Sequence, residues 1–197
     1  MIRIVTDSAA DLTAAELSVP GVFVVPLSVT FADGTTQLDD GTMTKDEFFV
    51  RLAEDSKLPR TSQPSPASFM QVYEDAEAAG DEVLVITIGQ KLSGTYQCAH
   101  LAAADVGLQA HIVDSEAASQ GEALLVREAV RLRDEEGLTA EEIAAVLEQF
   151  KKRVRIVAVV DSLKHLQKGG RLPAAVALVG GALGIKPVLA LQDGAIK

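Results

Sequence analysis

The sequence has one cysteine, no tryptophan and very few aromatics: Phe, Tyr and Trp together make up 4% of 197 residues. A lone Cys98 cannot close an internal disulfide, and that usage fits a reducing, cytoplasmic setting. With so few rings the core must be built from Val, Leu, Ile and Ala, which dominate the 48% of hydrophobic residues. Basic side chains are also scarce. Lys and Arg number 18 against 28 Asp and Glu, a net charge of -10. Nucleic acids and anionic membranes demand a basic face, so neither is an expected partner, although Lys164–Arg171 is locally basic. No apolar run approaches the roughly 20 residues of a membrane span. The opening "MIRIVTDSAA" has no stretch of signal-peptide character. His and Cys are not spaced as metal ligands, and there is no G-x-S-x-G nucleophile elbow.

What is present alternates. Short β-branched runs at 2–8, 82–88, 110–115, 155–162 and 185–191 read as strands. "EVLVITI" (82–88) is continuously apolar, as a strand buried on both faces of a parallel sheet must be. Residues 22–40 read as an extended ribbon turning at Asp33-Gly34. Helices have clear starts. Thr44 with Glu47 and Thr139 with Glu142 form capping boxes. Ser65 followed by Pro66 is a cap with proline at the first helical position, opening a helix that stops at Gly80. Further helices are expected over 94–106, 120–136 and, from small residues, 172–183. Strand and helix in alternation specify an α/β fold with a mainly parallel sheet. We divide the chain into an N-terminal three-layer α/β domain over 1–153 and the start of a second α/β domain over 154–197. The second is expected to be incomplete, because the strand returning after Asp193-Gly194 has only three residues, too few for proper pairing.

Ligands of parallel sheets bind beyond the carboxyl ends of the strands. Polar turns fall there at 6–11, 89–97, 114–121 and 161–171, and the "TSQPS" loop at 61–65 joins them if it lies on that edge. Ser93, before Gly94 and a helix, has two readings. It is either a simple N-cap or part of an anion site at a helix N-terminus. A nucleophilic serine would need His100, His111 or His165 nearby. Asp7, Asp11, Asp114 and Asp161 follow strands and read as turn and cap residues rather than metal ligands. In "KGGR" (168–171), Arg171 is either a bidentate anion contact or a solvated side chain after a glycine cap. In "TSQPSPASF" (61–69), Ser65 and Pro66 are used by the helix start, whereas Thr61 and Ser62 are left over.

Taken in order, "IVTDSAADL" (4–12), "VVPLSVTF" (24–31), "TSQPSPASF" (61–69), "KLSGTYQCA" (91–99), "VDSEAASQG" (113–121), "LKHLQKGGR" (163–171) and "LGIKPVLALQDG" (183–194) resemble the DegV family of bacterial fatty-acid-binding proteins. The resemblance implies a two-domain α/β protein that holds a long-chain, palmitate-like fatty acid in a buried apolar tunnel. It implies that the carboxylate is held by the hydroxyls of Thr61 and Ser93, with Ser62 and the Gly94 amide close by and Arg171 at the ligand head or a partner surface. It implies no metal, no other cofactor and no catalysis by the chain itself. The bound lipid would be presented to a separate ATP-using subunit of a fatty acid kinase. The sequence departs from the family pattern at Gly89-Gln90 and at Glu122, and the family continues past Gly194 with a histidine that belongs to the carboxylate site. The alternative reading is a phosphotransferase or serine hydrolase using Ser93.

Overall fold

The structure, a computed structural model, describes residues 1–55, 57–172 and 186–197. In chain order the first half contains β1 (Ile2–Asp7), α1 (Ala14–Leu17), β2 (Val22–Val25), β3 (Ser28–Thr30), β4 (Thr36–Leu38), α2 (Lys45–Glu54), β5 (Arg60–Ser62), α3 (Pro66–Ala79) and β6 (Glu82–Thr87). The second half contains α4 (Thr95–Val106), β7 (Ala110–Asp114), α5 (Gln120–Arg131), α6 (Ala140–Phe150), β8 (Ile156–Val159), α7 (Lys164–Lys168), β9 (Val188–Gln192) and β10 (Ala195–Ile196). The helix expected over 172–183 lies, beyond Leu172, outside the described residues.

The central sheet is wholly parallel, in the order β2-β1-β6-β7. Its alternating side chains feed two cores. On one face Ile2, Ile4, Leu84 and Ile86 pack on Leu125 and Ala129 of α5 and on Ile143 and Leu147 of α6. On the other, Val5, Val25, Val83 and Val85 pack on Phe69, Tyr73 and Ala76 of α3 and on Ala99 and Ala102 of α4. This is the expected three-layer α/β arrangement, and the all-apolar reading of β6 follows from burial on both faces. At about 1.5–3 kcal/mol for each large apolar side chain buried, these two layers supply the main driving force for folding.

The capping signals form as expected. Thr44 with Glu47 and Thr139 with Glu142 make reciprocal capping boxes. A third, Thr13 with Glu16, opens α1 and was not anticipated from the sequence. Ser65 caps α3 with Pro66 at its first position, and Gly80 ends that helix in the left-handed conformation. The helix expected over 120–136 changes pitch at Leu132, where Leu132–Glu136 form a π turn ended by Gly137.

Two expectations are corrected. The ribbon at 22–40 is not one element. β2 joins the parallel sheet, and after Pro26 the chain enters a separate antiparallel sheet ordered β4-β3-β5. Proline has no N–H to donate to a ladder, so pairing breaks there. The final hairpin does pair: Ala195 lies opposite Gln192 and Ile196 opposite Leu191, and Ala190 and Lys197 exchange backbone hydrogen bonds at 2.8 and 2.9 Å. Both turn residues, Asp193 and Gly194, have positive φ (52° and 73°). Such a two-residue turn matches the twist of the flanking strands, so pairing starts immediately after it. With β8, these strands form an antiparallel sheet ordered β10-β9-β8.

Candidate functional site

The carboxyl ends of β1, β6 and β7 are held together by buried carboxylates. Asp7 has no exposed surface; it accepts from the Ala9 amide at 3.0 Å and from the Ile88 amide at 2.8 Å. Burial pushes its carboxyl up to about 6, against the pull of those two hydrogen bonds. Asp114 accepts from the amides of Gln90 and Glu116, each at 3.0 Å. The Gly89 amide donates to the Ala117 carbonyl at 2.7 Å. The strand-end aspartates therefore act as turn and loop fasteners, and among the described residues no group of three His, Cys, Asp or Glu could hold a metal ion.

The loop they fasten, residues 88–94, carries Ser93 to the start of α4. The helix is capped by Gly94, not Ser93, and no side chain bonds its first amides. Ser93 is therefore not the simple cap, because its hydroxyl lies 2.9 Å from the Thr95 hydroxyl instead. The first amides of an α-helix have no partner within the helix, and here they meet no capping oxygen. That leaves a polar, positively polarised end beside Ser93.

Thr61 and Ser62 arrive from the opposite side on β5, where Thr61 pairs with Val29 and Ser62 with Ser28. Neither is used by the α3 cap, which is made by Ser65 accepting from the Ser68 amide at 3.2 Å. A cavity of about 350 Å³ brings these pieces together. One part of its wall is polar: Thr61, Ser62, Gln63, Ser93, His165 and Arg171. The rest is apolar: Leu27, Ile88, Leu92, Ala118, Leu166 and Ile196.

Gly94 sits next to this wall rather than in it. Arg171 reaches across from the segment after α7. Its Nε donates to the Leu92 carbonyl at 3.2 Å and its Nη1 to the Gly169 carbonyl at 2.6 Å. It is thus tethered beside the Ser93 loop while remaining exposed to solvent. Of the three histidines, only His165 lines the cavity. His100 packs edge-on against Tyr96 on α4, 4.6 Å between ring centres, and His111 is on β7.

Sequence reasoning missed Gln63. It stands between the leftover hydroxyls and Pro64, and its side chain occupies the space beside Gly94. A glycine at a capping position, where Ser, Thr, Asp or Asn is the usual choice, was the available signal.

Fold and cavity together define an α/β protein with a cleft of mixed polar and apolar lining near the carboxyl edge of a parallel sheet. The chain belongs to the DegV family, described as a family of uncharacterised proteins, whose family model matches residues 1–197. A DegV domain-containing protein of Caldanaerobacter subterraneus subsp. tengcongensis is 38% identical over 197 residues, covering 100% of this chain and 69% of the relative. Among solved structures, a stearic-acid-binding protein from Eubacterium ventriosum is 36% identical with a TM-score of 0.91, and the match covers 100% of this chain and 69% of that one. A DegV family protein from Thermus thermophilus, described for its fatty acid binding, is 40% identical with a TM-score of 0.89 over the same shares.

Proposed function

We propose that this chain binds a long-chain fatty acid in the cavity, with the carboxylate held by the hydroxyls of Thr61 and Ser93. Ser62 and the Gly94 amide stand close by, and Arg171 faces the head. The observation that carries this reading is one cavity in which the hydroxyls of two distant stretches, with Gln63, His165 and Arg171, share the lining with the apolar side chains of Leu27, Ile88, Leu92, Ala118, Leu166 and Ile196. The fatty acids named for the related structures support it. The chemistry fits a molecule with one charged end. Each buried CH₂ contributes about 0.8 kcal/mol, so ten contribute about 8 kcal/mol before ordering costs. The head then needs only enough donors to offset its desolvation. Hydroxyls and helix amides do this without neutralising the carboxylate, which stays nucleophilic.

We read the chain as a carrier rather than a catalyst, presenting the lipid to a separate ATP-dependent kinase subunit. We read residues 1–153 as one domain and 154–197 as part of a second. Purified protein should release fatty acid on denaturation, read by mass spectrometry, and Thr61→Ala or Ser93→Ala should weaken oleate binding. A hydrogen bond to a charged group is worth about 1.5–3 kcal/mol, so each loss should be about tenfold or more. Unchanged affinity in both variants removes the assignment. Hydrolysis of an activated ester by the chain alone, lost in Ser93→Ala, would establish the enzymatic reading instead.

A further inference from the structure

The proposed head site has two halves from separate pieces of chain, Thr61 and Ser62 on β5 and Ser93 before α4. Besides the packing of α3 on α4, residues 63–64, which follow β5 directly, touch the start of α4. Pro64 is buried, and its carbonyl accepts from the Cys98 thiol on α4 at 3.3 Å. Gln63, the next residue back, lies over Gly94. A Cβ built on Gly94 would stand 2.0 Å from Gln63 Oε1 and 3.1 Å from its Cδ. Gly94 has φ -78° and ψ 8°, in the bridge region that non-glycine residues also enter. Its backbone therefore does not require glycine, whereas the space taken by Gln63 does.

We infer that Gln63 is a positioning residue, seated on Gly94, that fixes the separation of the Thr61 and Ser93 hydroxyls, and that position 94 is glycine to admit it. This rests on the fatty acid reading of the cavity. Pro64, the next residue, fastens this stretch to α4 through the Cys98 thiol. The atom that a new methyl would strike is the far end of a flexible and exposed side chain. Gly94→Ala should therefore fold and displace Gln63 instead of breaking the helix.

The test is a double-mutant cycle on the purified chain with Gly94→Ala, Gln63→Ala and the double variant. Oleate affinity and thermal unfolding of the lipid-free protein are both measured. Each single variant should bind oleate more weakly by on the order of tenfold, within the range of coupling between touching residues. The double variant should be no weaker than Gln63→Ala alone, and the Tm lowering caused by Gly94→Ala should vanish in the Gln63→Ala background. Losses of affinity that multiply in the double variant would mean that the new methyl blocks the ligand directly, and would overturn the inference, as would wild-type affinity in Gly94→Ala. If the wild-type chain binds no oleate, the lipid reading fails. The unfolding cycle then decides the seating of Gln63 alone, and additive Tm changes there overturn it too.

Discussion

Replacing Glu122 by Gln should stabilise the protein, by an amount that grows with pH. Glu122 lies in the first turn of α5 and has no exposed surface. Its Oε1 accepts from the Thr6 hydroxyl at 2.9 Å, while Oε2 meets no hydrogen-bond partner among the described residues. Burial first, and then the charge of Asp7, raise its carboxyl well above the ordinary 4.5. Below pH 4.5 the group is neutral both folded and unfolded, and it costs nothing. Above that, the unfolded chain ionises while the folded chain keeps its proton. Unfolding free energy then falls by about 1.4 kcal/mol per pH unit, until the folded carboxyl itself ionises. Gln has the same shape, keeps an acceptor for Thr6 and never ionises. A neutral carboxyl and an amide each leave an unpartnered donor at the second position, so that penalty of about 1–3 kcal/mol largely cancels in the comparison. Urea unfolding followed by circular dichroism should find the two proteins nearly equal at pH 4.5. The variant should draw ahead as pH rises above 4.5, by at most about 1.4 kcal/mol per pH unit. A difference that does not change with pH, or a variant less stable at pH 6.5, refutes the reasoning.

Asp7 acts in the same direction over a lower window. Its carboxyl rises from 3.8 to about 6 in the fold. The stability that this shift supplies is complete below pH 3.8 and is lost as pH rises through 6, about 3 kcal/mol in all. In the Glu122→Gln background that loss should remain as the main acid-range slope, and carbon-13 NMR should place the Asp7 midpoint near 6; a midpoint near 4 would show that the carboxylate is solvated. At the other end of the domain, Thr139→Ala removes the side-chain half of the α6 capping box, in which the Thr139 hydroxyl accepts from the Glu142 amide at 3.3 Å, and leaves the backbone half, in which Glu142 Oε2 accepts from the amide of residue 139 at 2.9 Å. It should lower stability by about 1 kcal/mol with no effect on oleate affinity, as calorimetry and a binding titration can check.

The elements that could be read from sequence are those whose cause is local. Thr44 with Glu47, Thr139 with Glu142, and Ser65 with Pro66 specify their helix starts within four residues. The buried character of β6 shows in its unbroken apolar run. The failures are non-local or competitive. Pro26 divides the ribbon between two sheets, and nothing within residues 22–40 says that β3 finds its second partner in β5. The closing hairpin was judged by strand length, whereas its Asp193-Gly194 turn geometry decides the pairing. At the site, the leftover hydroxyls of Thr61 and Ser62 were legible because Ser65 alone satisfies the α3 start. The cap at α4 was not, because the choice of Gly94 over a capping side chain depends on Gln63, thirty-one positions earlier in the chain. Glu122 was noticed as a departure from the family pattern, but its burial against Thr6 belongs to the packing of α5 on β1.

The placement of β1 between β2 and β6 also has a consequence during synthesis. Ile2 lies opposite Glu82 and Thr6 opposite Ile86, so one edge of β1 lacks its sheet neighbour until the ribosome has passed residue 86. At about 5–20 residues per second, that interval is roughly 4 to 16 s. For that time the nascent chain carries an apolar, unpaired strand edge of the kind that templates association with other chains. Asp7 at the end of the strand, with Asp11 and Glu16 in the segment that follows, puts like charge beside that edge and opposes pairing between two nascent copies.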